Sequence, residues 1–236
     1  MQNTWVAGVD GCRGGWFAVL RLSTSGALRF VLCEQFLEIL VLPEAPAVVA
    51  VDIPIGLLDT ACTGGRDCDR AARRILGRAR CSSVFTPPTR RALAARNYRR
   101  AIELNRCGLS IQAFGILPKI REVDRAMNPA RQDIVYEAHP ELAFARLAGA
   151  PMVCNKKTRG GRTERERLLQ RRYGRCFVVP NIVRQRFGRA RVAIDDVLDA
   201  YALAYTATRI ANGSGRCVPA HSVVRDRKSL RMEIRY

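Results

Sequence analysis

The sequence predicts an α/β fold in which helices flank a mixed five-stranded sheet. Three short β-prone runs follow one another near the start of the chain, which is typical of an antiparallel meander. After one helical segment comes a continuous apolar run of the kind that forms a fully buried parallel strand. With 236 residues, 48% of them hydrophobic, the chain can bury the core of a single domain.

The first quarter of the chain predicts the element order β-β-β-α-β. Glycine-rich residues 11–15 form a tight connection between the first two strands. Residues 34–42 have the apolar spacing of a helix. The predicted strands are 5–10, 16–22, 27–33 and 47–52.

The rest of the chain predicts helices around one further strand. We expect a helical insertion at about 59–130, inside one domain that spans residues 1–236, because basic helical stretches and a Ser/Pro loop replace the strand pattern there. A fifth strand is predicted at 133–137. The predicted helices are 67–76, 90–105, 139–147, 162–173 and 195–212.

The charge of the chain favours a polyanionic partner. Its formal net charge is +19 and its pI is about 10.6, and only four of its 40 basic residues are lysine. Codon composition can explain arginine in place of lysine, but it does not explain so large an excess of positive charge. We expect nucleic acid or a phosphorylated small molecule as partner, with a merely basic surface as the alternative.

Cysteine usage and hydropathy indicate a cytoplasmic protein. The nine cysteines are odd in number and scattered, without a C-x-x-C pair, so neither a disulfide framework nor a zinc site is indicated. Residues 1–9 lack the pattern of a secretion signal, and prolines and acids interrupt the most apolar segment, 39–58. No membrane partner is expected, and nothing indicates a homo-oligomer.

Acidic residues stand where predicted strands end or a predicted helix begins. They are Asp10, Asp52, Glu137, Asp196 and Asp199. A single aspartate at such a position is more often a turn former or a helix cap, as Asp195 would be for the last helix. In so basic a chain their joint occurrence favours a cation site, and oxygen ligands favour Mg²⁺ or Mn²⁺.

Three short stretches of the chain resemble RuvC-type resolvases. The first has an aspartate followed by a glycine-rich hairpin, the second ends in an aspartate, and the third has the pattern D-x-x-D-A-x-A-L-A. The stretches are residues 6–16, 48–52 and 196–204.

A resemblance over nearly the whole chain is to the bacterial family of predicted RNase H-like nucleases. It rests on short motifs spread along the sequence. The motifs are Gly8-Val9-Asp10-Gly11-Cys12, Gly14-Gly15-Trp16, Asp52-Ile53-Pro54-Ile55-Gly56-Leu57, Ser82-Ser83-Val84-Phe85, Gly108-Leu109-Ser110 with Gln112, Pro118-Lys119-Ile120, Glu137-Ala138-His139-Pro140-Glu141, Lys156-Lys157-Thr158 and Asp195-Asp196 with Asp199-Ala200. The resemblance implies an RNase H-like fold and an acidic site. It does not specify a reaction or a substrate.

In such a fold the first and fourth strands are neighbours, so Asp10 and Asp52 would meet in one crevice. Asp196 and Asp199 are three residues apart and would share a helix face near its positive dipole end. We therefore expect Asp10, Asp52, Asp196 and Asp199 to be metal ligands, with Glu137 assisting catalysis. Two ions about 3.5 to 4 Å apart could activate water and stabilise the leaving oxygen of a phosphodiester.

Three lysines and one histidine complete the candidate site. Lys119, Lys156 and Lys157 stand in loop settings that suit contacts to substrate phosphates, although solvated loops are an equal alternative. His139 could move a proton or orient water, or could be a satisfied residue at a helix start. We expect Glu141, one turn into that helix, to be structural.

Three functions are compatible with these residues. The first is a metal-dependent phosphodiester hydrolase, a nuclease acting on DNA or RNA. The second is a non-catalytic nucleic-acid-binding protein, based on net charge alone. The third is an ATP-using phosphotransferase of related fold. The sequence contains no second copy of the aspartate with its glycine-rich hairpin, and this counts against the third function.

Overall fold

The computed structural model describes residues 3–236 and confirms a mixed five-stranded sheet flanked by helices. Residues 1 and 2, which the single-domain prediction includes, lie outside the described residues. The strands are β1 (Trp5–Cys12), β2 (Gly15–Leu22), β3 (Leu28–Cys33), β4 (Val48–Val51) and β5 (Val135–Glu137). Their order across the sheet is β3-β2-β1-β4-β5, with β1 to β3 antiparallel and β4 and β5 parallel to β1.

Within residues 3–236, nine α-helices surround this sheet. They are α1 (Phe36–Leu40), α2 (Asp67–Arg80), α3 (Tyr98–Asn105), α4 (Ile111–Gly115), α5 (Leu117–Ala126), α6 (Pro140–Ala148), α7 (Arg159–Tyr173), α8 (Pro180–Phe187) and α9 (Ile194–Ala211). The segment between β4 and β5 contains α2 to α5 and short 3-10 turns. None of the helices in the described part of the chain is long and apolar enough to cross a membrane.

The prediction of a single helix over 90–105 is wrong. A 3-10 turn at Arg90–Ala94 precedes α3, and the chain becomes extended between them. The Asn97 side chain accepts the N–H of Arg100 at 2.9 Å, so it caps a new helix at that point. The sequence patterns also did not predict α4, α5 or α8.

The two faces of the sheet are covered by different parts of the chain. Val9, Val51 and Val135 face a core that α1, α3, α4 and α5 complete. The side chains next to them along each strand point the other way because side chains alternate across a sheet. Val6 and Val48 thus pack on the opposite face, against α9.

Helix α9 lies in direct contact with β1 at Gly8. A Cβ atom on Gly8 would overlap backbone atoms of Ala200 and Ala204, so only glycine permits this approach. The contact brings the first turns of α9 over Asp10, which lies inside β1 because the strand continues two residues beyond its predicted end, to Cys12.

The end of the described chain adds a small second sheet. Strands β6 (Cys217–Val218) and β7 (Ile234–Arg235) pair antiparallel, and an isolated bridge joins Ala138 to Arg235. The bridge attaches this sheet to the chain just after β5.

Candidate functional site

Strands β1 and β4 place Asp10 and Asp52 side by side. Val9 and Val51 are partners in the parallel register, and the N–H of Asp52 donates to the carbonyl of Val9 at 3.0 Å. Both aspartates therefore project from the face that α9 covers. The prediction that the first and fourth strands are neighbours is confirmed.

The first turns of α9 bring two more carboxylates to this place. Asp199 is only 2% exposed. Asp196 is partly exposed, and its Oδ2 accepts the N–H of Ala193 at 2.7 Å, which caps the start of the helix. We call Asp10, Asp52, Asp196 and Asp199 the acidic cluster.

Electrostatic repulsion links the members of the acidic cluster. Burial, followed by repulsion from Asp52, Asp199 and Asp196, raises the pKa of Asp10 well above its usual range. Burial and then repulsion from Asp199 raise the pKa of Asp52 to about 7. Burial also raises the pKa of Asp196 to about 6. The raised pKa values show that ionising these carboxyl groups together is unfavourable, and a cation bound among them would stabilise the ionised form.

Lys156 forms an ion pair inside this cluster. Its Nζ lies 2.7 Å from Oδ2 of Asp199, and the charge of Asp199 is the main cause that raises the pKa of Lys156. The side chain of Lys156 is 37% exposed, although its ammonium bonds a carboxylate that is almost fully buried. Lys156 was predicted to contact a substrate phosphate. In the structure its ammonium binds Asp199.

The other two candidate lysines lie in different settings, and the prediction of a loop at Lys119 is wrong because Lys119 is the third residue of α5. Lys119 on α5 donates to the carbonyl of Gly15 at 2.5 Å, and its Nζ lies 4.5 Å from the centre of the Trp16 ring. Burial lowers the pKa of Lys119, while Cys12 and nearby acids oppose this shift. Lys157 is exposed, and no ion pair among residues 3–236 involves its side chain.

Glu137 is not part of the acidic cluster. It pairs with Val51 in the register of β4 and β5, so its side chain points to the face opposite that of Asp52. Arg66 donates to both of its carboxylate oxygens, at 2.6 and 2.8 Å, and the N–H of Ile55 donates at 2.6 Å. The structure thus places this predicted catalytic residue in a buried ion pair.

The residues after Glu137 also make structural contacts. His139 accepts the N–H of Glu141 at its Nδ1, 3.2 Å away, and its Nε2 lies 3.3 Å from the carbonyl of Ser83. These contacts suit a neutral imidazole, and burial lowers the pKa of His139. Glu141 forms a buried ion pair with Arg165 at 2.6 Å, as expected of a structural residue.

Arg66 and Arg165 are the two residues that the sequence patterns missed. Both are almost fully buried, at 2% and 1% exposure. The sequence did contain one indication of such partners, namely Glu137 and Glu141 at the junction of β5 and α6. Each of these acids needs a positively charged partner once it is buried. Nothing in the sequence selects these two from the other arginines.

The donor chemistry of the acidic cluster suits a hard divalent cation. All of its donors are carboxylate oxygens, and Oδ1 of Asp199 is buried without a hydrogen-bond partner. Within residues 3–236, no three His, Cys, Asp or Glu side chains stand close enough to form a complete ligand set. To bind a cation, the carboxylates would therefore have to move closer together. Their mutual repulsion opposes this movement when no cation is present.

Residues 8–223 match the family model described as a protein of unknown function, DUF429. The match covers most of the chain. The chain belongs to the DUF429 family. The DUF429 region contains all of the acidic cluster, together with Lys156, Arg66 and Arg165. No curated protein and no solved structure is significantly similar to the chain.

Proposed function

We propose that this DUF429 protein is a metal-dependent phosphodiester hydrolase, a nuclease acting on DNA or RNA. One observation carries the proposal: Asp10, Asp52 and Asp199 come from distant parts of the chain, yet their charges interact in one buried place. The strand order β3-β2-β1-β4-β5, with α9 on the face of the two aspartates, supports an RNase H-like fold.

Asp10, Asp52 and Asp199 would hold Mg²⁺ or Mn²⁺, with Asp196 at the edge of the site. When bound, the cation would lower the pKa of a water molecule and stabilise negative charge on phosphodiester oxygens. The chain itself positions the three carboxylates through the register of β1 and β4 and through the contact of α9 with Gly8. Asp196 keeps the start of α9 in place through its bond to Ala193.

A groove along the outer side of α7 carries basic side chains that would suit a polyanionic substrate. Helix α7 begins at Arg159, two residues after Lys157, and a groove of about 620 Å³ runs along it. The exposed arginines that line this groove are Arg159, Arg167 and Arg171. Arginine side chains bind phosphate oxygens with charge-assisted hydrogen bonds, so the groove suits a nucleic-acid backbone.

Replacement of the strand-end aspartates tests this proposal. We expect Asp10→Asn and Asp52→Asn each to abolish Mg²⁺- or Mn²⁺-dependent cleavage of a nucleic acid, measured on labelled DNA and RNA. Asp67→Asn, which makes the same change on the exposed start of α2, serves as the control and should keep the activity. Unchanged cleavage in both strand-end variants would refute the proposal.

The alternative of a non-catalytic nucleic-acid-binding protein rests on the net charge of +19. It makes a different set of predictions for the same variants. Binding would be sensitive to salt, would need no divalent ion and would survive in Asp10→Asn and Asp52→Asn. A filter-binding assay with and without EDTA separates the two functions.

A further inference from the structure

The two carboxylate oxygens of Asp199 have different surroundings. Oδ2 binds the ammonium of Lys156 at 2.7 Å. Oδ1 is buried and has no hydrogen-bond partner among the described residues, and Asp199 as a whole is 2% exposed. A buried carboxylate oxygen without a donor is costly, so Oδ1 indicates a ligand that brings positive charge.

The main chain around Lys156 is held firmly. Arg165 donates to the carbonyls of Cys154 and Gly161 at 3.1 and 3.0 Å. The Thr158 hydroxyl donates to the carbonyl of Asn155 at 2.8 Å and accepts the N–H of Gly161 at 3.0 Å. The fold therefore fixes the residues on both sides of Lys156 and restricts where its ammonium can lie.

The charges of the site match one divalent cation. Asp196 lies partly exposed at the edge of the site and already accepts the N–H of Ala193, so we count the other three aspartates as the direct neighbours of a cation. Asp10, Asp52 and Asp199 carry three negative charges when ionised, and Lys156 neutralises one of them. The two that remain equal the charge of a single divalent ion. Two divalent ions together with Lys156 would carry five positive charges, more than even four ionised carboxylates could balance, and the excess would be repelled in a poorly solvated site.

We infer that the acidic cluster binds a single divalent cation, with Oδ1 of Asp199 as one ligand, and that the Lys156 ammonium stands in place of a second cation. The inference deepens the proposed function and rests on it, and it replaces the two-ion arrangement that the sequence predicts. Lys156 thereby supplies a positive charge that stays in the protein when the divalent ion leaves.

Manganese binding to the purified full chain tests this inference without any cleavage assay. Isothermal titration calorimetry and electron paramagnetic resonance give the number of bound Mn²⁺ ions and their affinity. We expect one Mn²⁺ per chain in the wild type. In Lys156→Met, which keeps an unbranched side chain one atom shorter and removes its charge, we expect about tenfold tighter binding or more and a second ion, because a repulsive charge is gone.

Two matched variants sharpen the result. Lys157→Met removes the neighbouring exposed lysine and should leave the wild-type stoichiometry and affinity unchanged. Lys156→Arg keeps the charge and should still bind one ion. Both variants should fold, as circular dichroism and the melting temperature will verify, because neither position belongs to the core.

Three outcomes would overturn the inference: two Mn²⁺ ions in the wild type, no Mn²⁺ in the wild type, or unchanged binding in Lys156→Met. The proposed function fails by a different result, which is cleavage that persists in Asp10→Asn and Asp52→Asn. A protein that binds two ions and loses cleavage in those variants would keep the proposed function and lose only the inference.

Discussion

Strand alternation decides which acids of this protein can act together. Asp52 and Glu137 both stand at the ends of parallel strands, and from the sequence they look equivalent. The register pairs Glu137 with Val51, one position before Asp52, so the two carboxylates leave opposite faces of the sheet. One joins the acidic cluster and the other joins a buried ion pair with Arg66.

Asp52→Asn should stabilise the metal-free protein. The fold raises the pKa of Asp52 from 3.8 to about 7, so its ionisation increasingly opposes folding as the pH rises from about 4 to about 7. Above that range we expect Asp52→Asn to raise the free energy of unfolding by on the order of 2 kcal/mol. The full pKa shift would correspond to about 4 kcal/mol, and solvent around the partly exposed side chain reduces that value. Urea denaturation in EDTA at about pH 5 and about pH 8 measures the difference. Equal gains at both pH values would contradict this explanation.

Glu137→Gln should lower stability while leaving the cation site intact. The substitution removes one of the two carboxylates that pair with buried Arg66, and because Asp69 remains as the other, we expect a cost of about 2 kcal/mol. Denaturation by urea measures this loss, and the folded variant should still bind Mn²⁺. Asp67→Asn, which breaks a surface pair with Arg70, should cost less than about 1 kcal/mol. Wild-type stability combined with lost cleavage would instead indicate a catalytic role for Glu137.

At the scale of elements, the contact between β1 and α9 builds the site. Two aspartates of the acidic cluster come from strand ends and two from the helix, and only the position of α9 joins them. Gly8 sets the distance between β1 and α9, since the backbone of the helix occupies the space of a side chain there. Under the proposed function, binding of a cation would therefore depend on a residue whose side chain offers no ligand atom.

Gly8→Ala should destabilise the protein and weaken Mn²⁺ binding together. The added methyl group meets the backbone at Ala200 and Ala204, so α9 must move away from β1, at a cost of about 3 kcal/mol. Gly115→Ala on α4 is the matched control, because nothing lies within 4 Å of a Cβ atom there. Thermal denaturation and Mn²⁺ titration of both variants provide the comparison. A stable Gly8→Ala protein with normal Mn²⁺ binding would show that this contact is dispensable.

At the scale of the whole molecule, the protein combines a buried acidic site with a strongly basic exterior. The net charge of +19 attracts polyanions at long range, while the acidic cluster repels them unless cations are bound. The groove along α7 adds exposed positive charge on the helix that follows Lys156 in the chain. This distribution favours nucleic-acid binding that depends on both salt and divalent ions.

Charge reversal in the groove should weaken nucleic-acid binding. We expect Arg167→Glu combined with Arg171→Glu to reduce the affinity for nucleic acid about tenfold or more. The slope of log affinity against log salt concentration should fall by the amount expected for the loss of about two phosphate contacts. The control is Arg99→Glu combined with Arg100→Glu on α3, where Glu103 already pairs with both arginines. Fluorescence anisotropy at several salt concentrations measures both. An equal loss in the two double variants would indicate binding through overall charge.

Much of the fold follows from local patterns in the sequence. The order β-β-β-α-β, the fifth strand and the last helix are confirmed, because each is marked by its own apolar spacing and by nearby turn residues. The helices α4 and α8 escaped prediction because they have only five and eight residues. The longer α5 was missed although Leu117, Ile120 and Val123 recur at helical spacing.

The sequence by itself determined that Asp10 and Asp52 each belong to the end region of a predicted strand and that Asp196 and Asp199 share the first turns of one helix. Those relations depend on apolar runs and helical spacing, which are properties of short segments, whereas the adjacency of the two strands was expected from the family resemblance. Only the tertiary structure decided that Glu137 faces Arg66 and that Lys156 binds Asp199. These pairs join residues 71 and 43 positions apart, so they depend on sheet register and on chain packing that no local pattern encodes.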